Sequence, residues 1–302
     1  MGILLLILAT LAWSLVGILV KLANTMVDTS IITFARFAIG VVFLAAFLLI
    51  KDGKLLLRSN MKWIWLGAAG KACNYLFENM AISLGYAYGN ILVPPIQTIV
   101  LLIISILWLK EKVTMKGWVA AGLSIIGVLL ISWNGQPLAL LKEGSLQITL
   151  LFGLSAVGAA VHVLSQKLLI QHMDAGNMNL SVFFWASIIT ALPLPVLSEG
   201  MIGSVSLSAV FALIGLGVIT GLSFYWFAEG LRRVDFSIAV IISNSMVLFT
   251  ILWSYLFFKE PITVYILLGA LAFIIGLVWL NLPNRSESVK VKDPISANGR
   301  QV

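Results

Sequence analysis

The chain has 302 residues, 61% of them hydrophobic and 10% charged, with a formal net charge of +7. Soluble domains give about a quarter of their residues to charge, so this composition excludes a water-soluble fold and makes lipid the solvent. The single cysteine, Cys73, excludes an intrachain disulfide and any C-x-x-C metal or redox motif.

A helix needs about 20 mostly apolar residues to cross a bilayer. Ten such stretches are predicted in chain order, near 3–22, 30–50, 63–84, 88–109, 116–133, 148–169, 177–197, 208–231, 236–257 and 261–282. The first has no basic leader and no obvious small-residue cleavage site, so it reads as a retained helix and not a signal peptide. Residues 283–302 are polar and mixed in charge, and read as a disordered tail. With the N-terminus in the cytoplasm, the inner loops and tail hold 14 Lys and Arg, whereas the outer loops hold only Lys21, Lys142 and Lys259. That asymmetry predicts both termini inside. Basicity is therefore a topology signal, and no nucleic-acid partner is expected.

Sliding the sequence by 149 residues aligns SILWLKEKVTMKGWVAAGLSIIGVLLIS (105–132) with SYLFFKEPITVYILLGALAFIIGLVWLN (254–281) without a gap. Lys110/Lys259, Glu111/Glu260, Thr114/Thr263 and Gly127/Gly276 coincide. The shared K-E-x-x-T hinge argues for duplication, because loose matching of apolar helices does not produce it. Each half then holds five spans, and an odd number forces the second copy to insert upside down. The predicted fold class is an all-α integral membrane protein, with ten transmembrane helices as two inverted five-helix repeats. Its parts are 1–133 (first repeat), 134–147 (outer connection), 148–282 (second repeat) and 283–302 (tail). Inverted repeats place a substrate site near the midplane between the halves, and rocking exposes it alternately.

Several motifs carry a resemblance. They are the Trp in LAWSLVGILVKL, the Arg in ITFARFAIG, the LKEKVT…GVLLI and FKEPIT…GLVWLN hinges, and FYWFAEGLRRVDFS near the end of span 8. Over nearly its full length the chain resembles the EamA family of the drug/metabolite transporter superfamily. The resemblance implies a ten-helix secondary transporter of small organic solutes in a cytoplasmic membrane, here expected to be bacterial. It leaves the solute open, from amino acids to amines and other metabolites.

Apart from Lys21, Lys116 and Lys167 at span ends, which are counted with the loops, charge in the spans is confined to Arg36, Lys71, Glu78 and Glu229. Such residues are costly in a bilayer and normally face a cavity or a partner. Arg36 on span 2 and Glu78 on span 3 each lie about six residues from an outer end, at a shared depth where they can pair. Lys71, Asn74 and Glu78 recur at i, i+3 and i+7, with Tyr75 beside them, and form one polar helical face. That face predicts that span 3 lines the cavity. Glu78 has two readings, a structural partner of Arg36 or a carboxylate that takes up a proton or a cationic solute. Lys71 has no carboxylate expected at its depth, so it deprotonates, meets water or binds a substrate anion, and a role in the cavity is the favoured reading. Glu229 is followed by Arg232 and Arg233, and a helix-end ion pair of the i, i+4 kind explains it ahead of a role in proton coupling. His162 is a packing histidine or a cavity group.

Pro94 and Pro95 interrupt span 4 and are expected to kink it. Ser243, Asn244 and Ser245 are polar at the corresponding place in span 9. Gln97 adds an amide nearby. Trp13, Trp185, Tyr225 and Trp226 fall near mid-span, away from the interfaces that aromatics prefer. They are filler between helices or the wall of a site for an aromatic solute or amine.

The expected function is a secondary carrier for a small organic solute, first an amino acid or related metabolite, with proton coupling as an option. The alternative is a carrier for a cationic or quaternary amine. A channel ranks lower, as does an intramembrane enzyme, for which no nucleophile–base or metal-ligand constellation exists. No G-x-x-x-x-G-K-[ST] occurs for ATP-driven transport. No cofactor and no metal are expected. The expected partners are the solute, lipid and protons, with the oligomeric state left open.

Overall fold

The computed structural model describes residues 1–107, 110, 114–135, 145–231, 233–234, 242–243 and 245–281. Its helices are α1 (Gly2–Ser14), α2 (Val16–Ala23), α3 (Thr29–Asp52), α4 (Lys62–Leu84), a 3-10 helix (Ala87–Leu92), α5 (Val93–Leu107) and α6 (Met115–Trp133). There follow α7 (Ser145–Leu169), α8 (Ala175–Ala191), α9 (Leu194–Leu197), α10 (Leu207–Leu231), α11 (Met246–Phe258) and α12 (Val264–Asn281). Among the described residues the one β feature is an isolated antiparallel bridge between Val27 and Met201.

Seven helical stretches are long and apolar enough to cross a membrane, and α11 and α12 supply shorter apolar helices. The chain is thus a multi-pass membrane protein. At 23 residues α4 has the length but falls outside that set, because Lys71, Asn74, Glu78 and Asn79 interrupt its apolar run. The hinge residue Glu111, the start of predicted span 9, most of the predicted connection 134–147 and the predicted tail 283–302 lie outside the described residues.

Three predicted spans are broken, the seventh at the Leu192–Pro193 turn between α8 and α9 and two others as follows. The first divides at Leu15, whose N–H bonds the Ala12 carbonyl at 3.3 Å in a tightened turn, while the Ser14 hydroxyl donates to Leu11 O at 2.7 Å. Thr250 Oγ1 then donates to Ser14 O at 3.3 Å, and Trp253 Nε1 to Ser14 Oγ at 3.0 Å. A helix of the second half thereby serves the polar atoms of the bend. The other break lies between the 3-10 helix and α5. Pro94 and Pro95 were expected to kink a continuous helix, but they occupy the first turn of α5. There the missing N–H groups have no intrahelical partner to lose, and the break precedes the prolines.

The packing relates the two halves by exchange. Helix α4 packs on α7 and α8, and α10 packs on α1 and α3, which is the same relation with the halves swapped. The pairs α3·α8 and α6·α12 map onto themselves. Small residues set the approach. A Cβ built on Gly127 of α6 would stand 2.7 Å from Gly269 O of α12, and one on Gly269 equally 2.7 Å from Gly127 O. Gly158 of α7 is similarly tight, its Cβ position lying 2.6 Å from Gly70 O and 2.7 Å from Asn74 N. Overpacking such a contact costs about 1–3 kcal/mol. Gly158→Val is therefore expected to lower the thermal midpoint in detergent, whereas the same change at Gly153, where a Cβ meets nothing, is expected to leave it nearly unchanged.

At one end of the bundle Asp28 ties the halves together. It caps α3 by accepting from Ser30 N at 2.7 Å and Ile31 N at 3.1 Å, and it also accepts from Gly200 N at 2.9 Å and from Ser198 Oγ. Burial alone would raise this carboxyl, but the bonds from Ser198, Ile31, Ser30 and Gly200 outweigh it and hold the group below the usual carboxylate range. A depressed folded value means that these bonds add stability above the unfolded value of about 4, and that it is lost as pH falls through the folded one. Asp28→Asn is expected to have a lower midpoint at neutral pH and a shallower decline on acidification. Parallel acid profiles for the variant and the wild type would sink this assignment.

Candidate functional site

The site grows from the polar face of α4. Lys71, Asn74 and Glu78 are all buried, as are Tyr75 and Asn79 beside them. In hydrocarbon each of these atoms needs a protein partner or an enclosed cavity. Arg36 reaches them from α3, with Nη1 3.3 Å from Glu78 Oε2 and 2.7 Å from Asn79 Oδ1. Asn79 Nδ2 in turn donates to Thr33 Oγ1 at 2.8 Å. The Arg36 guanidinium carbon lies 3.5 Å from the Tyr75 ring centroid, and Phe37 stacks on the same ring at 5.0 Å. Arg36, 1% exposed, therefore has a carboxylate, an amide and an aromatic face as partners.

Lys71 is solvated differently. Its Nζ donates to Asn74 Oδ1 at 2.8 Å, and Asn74 Nδ2 donates to Ser155 Oγ of α7 at 2.8 Å. The ammonium stands 4.3 Å from the Tyr75 centroid and 4.6 Å from that of Phe224 on α10. Among the described residues no carboxylate lies within ion-pair distance of it. Two aromatic faces and one amide thus hold a cation that is 6% exposed.

These groups border a cavity of about 440 Å³, within the roughly 300–1,000 Å³ of small-molecule sites. The polar side of the cavity is Arg36, Lys71, Asn74 and Glu78, joined by Asn90, Gln97, Thr98, His162 and Gln166. The apolar side includes Trp13, Phe224 and Phe227, with the Trp13 ring 5.1 and 5.2 Å from those of the two phenylalanines. Pro94 of α5 and Ser243 complete it. Both halves of the chain contribute.

Four atoms of lining residues are buried without a hydrogen-bond partner among the described residues, namely Trp13 Nε1, Arg36 Nε, Asn90 Oδ1 and His162 Nε2. His162 Nδ1 is 3.3 Å from Gly67 O.

Several expected site residues stand elsewhere. Trp185 packs against Trp65 with centroids 4.3 Å apart and donates its indole N–H to Arg58 O, a loop carbonyl, at 3.0 Å. The Tyr225 ring meets Phe47 at 4.9 Å, and Lys51 Nζ stands 5.3 Å above it. Trp226 packs against the same second apolar cluster. Glu229 pairs with Arg233 at 3.2 Å on the i, i+4 spacing and does not line the cavity. Pro95 and Ser245 also lie outside the lining, Ser245 Oγ donating to Ile242 O at 2.6 Å. Asn244 falls outside the described residues.

Sequence reasoning missed Asn79, Asn90, Thr98, Gln166, Phe224 and Phe227. Asn79 and Asn90 were legible as amides inside predicted spans. Phe224 and Phe227 carry no chemical signal, although their i, i+3 spacing shares a face.

A helical bundle in lipid, with a mixed polar and aromatic cavity between two related halves, has the architecture of a solute transporter. The sequence profile of the EamA-like transporter family matches residues 1–133 and 146–282, one copy in each half, and the chain belongs to that family. No curated protein matches the chain in sequence. Among solved structures, one crystal structure of a protein superposes with a TM-score of 0.69 over 93% of this chain and 96% of its own. Its identity is 17%, so the likeness concerns the fold.

Removing one member of a buried ion pair strands the other charge and costs about 3–5 kcal/mol. Glu78→Ala is expected to destabilise the protein by that order, and Glu78→Gln, which keeps an acceptor for Arg36, by clearly less. Thermal midpoints in detergent check the ranking, and equal losses would deny Arg36 its dependence on the acceptor.

Proposed function

We propose that this chain is a secondary carrier that moves a small organic solute bearing a carboxylate, an amino acid or a related metabolite, by alternating access of the cavity between its repeats. The observation that carries the reading is Lys71, a buried cation on the cavity wall with no carboxylate in ion-pair range among the described residues. A buried charge without a counter-ion is costly, and an anionic solute would supply one. Before it arrives, Tyr75 and Phe224 hold the ammonium by cation–π contact, worth about 2 kcal/mol when desolvated. The apolar wall of Trp13, Phe224 and Phe227 suits a hydrophobic side chain.

In this reading the ten predicted spans form two inverted repeats of five, 1–133 and 148–282, with both termini in the cytoplasm of a bacterial cell. Arg36–Glu78 holds α3 against α4 and leaves Glu78 committed within the protein. Proton coupling would then need another group, or a cycle in which that pair opens.

A carrier of cationic amines is the second reading, favoured by the aromatic wall. Charge counts against it. The lining holds Arg36 and Lys71 against Glu78 alone, and the faces of Tyr75 and Phe224 already serve Lys71.

Thermal stabilisation by free amino acids, simple carboxylates and quaternary amines tests the assignment. A ligand that binds only the folded state at about 100 times its dissociation constant adds about 2.7 kcal/mol. Carboxylate-bearing compounds are expected to stabilise the wild type and to lose most of that effect in Lys71→Met, with amines inactive on both. Selective stabilisation by amines would replace this reading with the second.

A further inference from the structure

We propose that the connection between α3 and α4, residues 53–61, dips into the membrane and holds the headgroup of an anionic phospholipid between Lys54, Arg58 and Lys62, with Leu55, Leu56 and Leu57 among the acyl chains. This site lies outside the cavity and does not depend on the solute. In the topology proposed above it faces the cytoplasmic leaflet.

The argument begins with depth. Helix α3 ends at Asp52, and Gly53 closes it in the left-handed region at φ 65°, its N–H donating to Leu49 O at 3.0 Å. The chain then reverses and runs beside α8. A Cβ built on Gly176 would stand 2.6 Å from Leu48 Cδ2, so α8 starts level with Leu48, inside the apolar run of α3. Leu56 N donates to Asn177 Oδ1 at 2.8 Å, and Arg58 N to Ser181 Oγ at 3.1 Å. Ser181 is five residues beyond Gly176 and so about 7.5 Å further into the bundle. Residues 56–58 therefore stand level with apolar residues of α3 and not beyond its end.

The backbone of this stretch is covered as membrane depth demands. Besides the two N–H groups, Arg58 O accepts from Trp185 Nε1 at 3.0 Å, and Ser59 O from Trp65 Nε1 at 2.9 Å. Irregular backbone in a bilayer persists only where protein satisfies it, whereas a loop in water needs no such cover. With these polar atoms turned to α4 and α8, the leucines face outward, Leu55, Leu56 and Leu57 being 41, 43 and 47% exposed. Three consecutive leucines held open in this way are costly in water and stable among acyl chains. Trp65 and Trp185 beside them are the residue type that marks a membrane–water interface.

Charge selects the lipid. Lys54 and Lys62 are exposed and Arg58 is half-buried, and among the described residues none of them has a carboxylate within ion-pair distance. The one acid between Lys51 and Lys62 is Asp52, which pairs with Lys51 at 3.1 Å. Basic side chains beside a membrane helix attract anionic headgroups. A zwitterionic headgroup carries its own cation and offers these three residues no net charge.

Thermal midpoints of the purified full chain in detergent test the headgroup. Phosphatidylglycerol is expected to raise the midpoint by about 5 °C more than phosphatidylcholine at equal mole fraction. Most of that excess is expected to vanish in Lys54→Gln/Arg58→Gln/Lys62→Gln and to shrink with salt. The matched variant Lys110→Gln/Lys116→Gln/Lys167→Gln removes three cations predicted on the same side but outside the connection, and is expected to keep the excess. Equal loss in both variants would reduce the effect to general charge and overturn the site, as would equal stabilisation by the two lipids. Inorganic phosphate is expected to do nothing, and a shift as large as that of phosphatidylglycerol would overturn the lipid in favour of a free anion. Nitroxide labels test the depth, on Leu56→Cys and Leu57→Cys in a Cys73→Ala background, in mixed vesicles of the two lipids. Oxygen is expected to relax these labels more than a water-soluble nickel chelate does, with the reverse for His172→Cys on the exposed turn before α8. Nickel dominance at both 56 and 57 would put the connection in water and overturn the proposal.

Discussion

Hydrocarbon offers no hydrogen bonds, so a polar face on a membrane helix has to be covered by protein or by an enclosed cavity. On α4 that constraint organises the centre of the molecule. Lys71, Asn74, Glu78 and Asn79 cannot face lipid, and helices from both halves come to them. Arg36 and Thr33 of α3 take Glu78 and Asn79, while Ser155 of α7 takes Asn74. The covering helices belong to different halves and do not close on one another everywhere. The cavity is the space left between them, with Lys71 on its wall. The exposed Cys73 lies on the same helix, so burial of α4 is one-sided.

The duplication is expressed in packing more clearly than in side chains. Exchange of α4·α7 with α10·α1, and of α4·α8 with α10·α3, leaves the neighbour relations unchanged. Local devices repeat too. Lys21 and Asp28 stand seven residues apart at the end of the first span, and Lys167 and Asp174 repeat that spacing in the second half. Both aspartates cap the helix that follows, Asp28 on α3 and Asp174 on α8. Lys110 and Lys259 of the two hinges share a left-handed backbone, at φ 54° and 53°. The polar lining does not repeat in this way. Lys71, Glu78 and Arg36 have no charged counterparts on α10 or α8, so the cavity is chemically one-sided although the scaffold is two-fold.

Such one-sided chemistry explains what could be read from the sequence. The stripe on α4 was visible because charge and amide are rare in apolar helices, and their spacing fixes a face. Arg36 and Glu78 were placed at one depth by counting residues from helix ends, and they lie 3.3 Å apart. Depth alone does not specify direction. Trp185, Tyr225 and Trp226 have the depth but belong to the second apolar cluster and not to the cavity lining, whereas Phe224, which also packs on that cluster, and Phe227 line the cavity. Successive residues turn by about 100° around a helix, so an aromatic run near mid-span always has members on the wrong side. The prolines show a similar limit. They mark a discontinuity, yet they stand in the first turn of α5, and the break lies before them, where Val93 N donates to the Asn90 carbonyl of the 3-10 segment.

The two ends of the interface between the halves are joined by different chemistry. At the end that holds the Asp28 knot, Lys21 Nζ meets Glu260 Oε1 at 2.6 Å, and Glu260 also accepts from Ala87 N at 2.9 Å and from the Ser254 hydroxyl. Ala87 N is the start of the 3-10 helix that carries Asn90, so an acid of the second repeat positions a cavity amide of the first. At the opposite end the bonds are neutral, Leu56 N to Asn177 Oδ1 at 2.8 Å, Arg58 N to Ser181 Oγ at 3.1 Å and Trp185 Nε1 to Arg58 O at 3.0 Å. Ionic contacts at partly exposed sites weaken with salt, and neutral hydrogen bonds do so far less. The halves are therefore held by an acid-centred seam at one mouth and by loop amides and hydroxyls at the other.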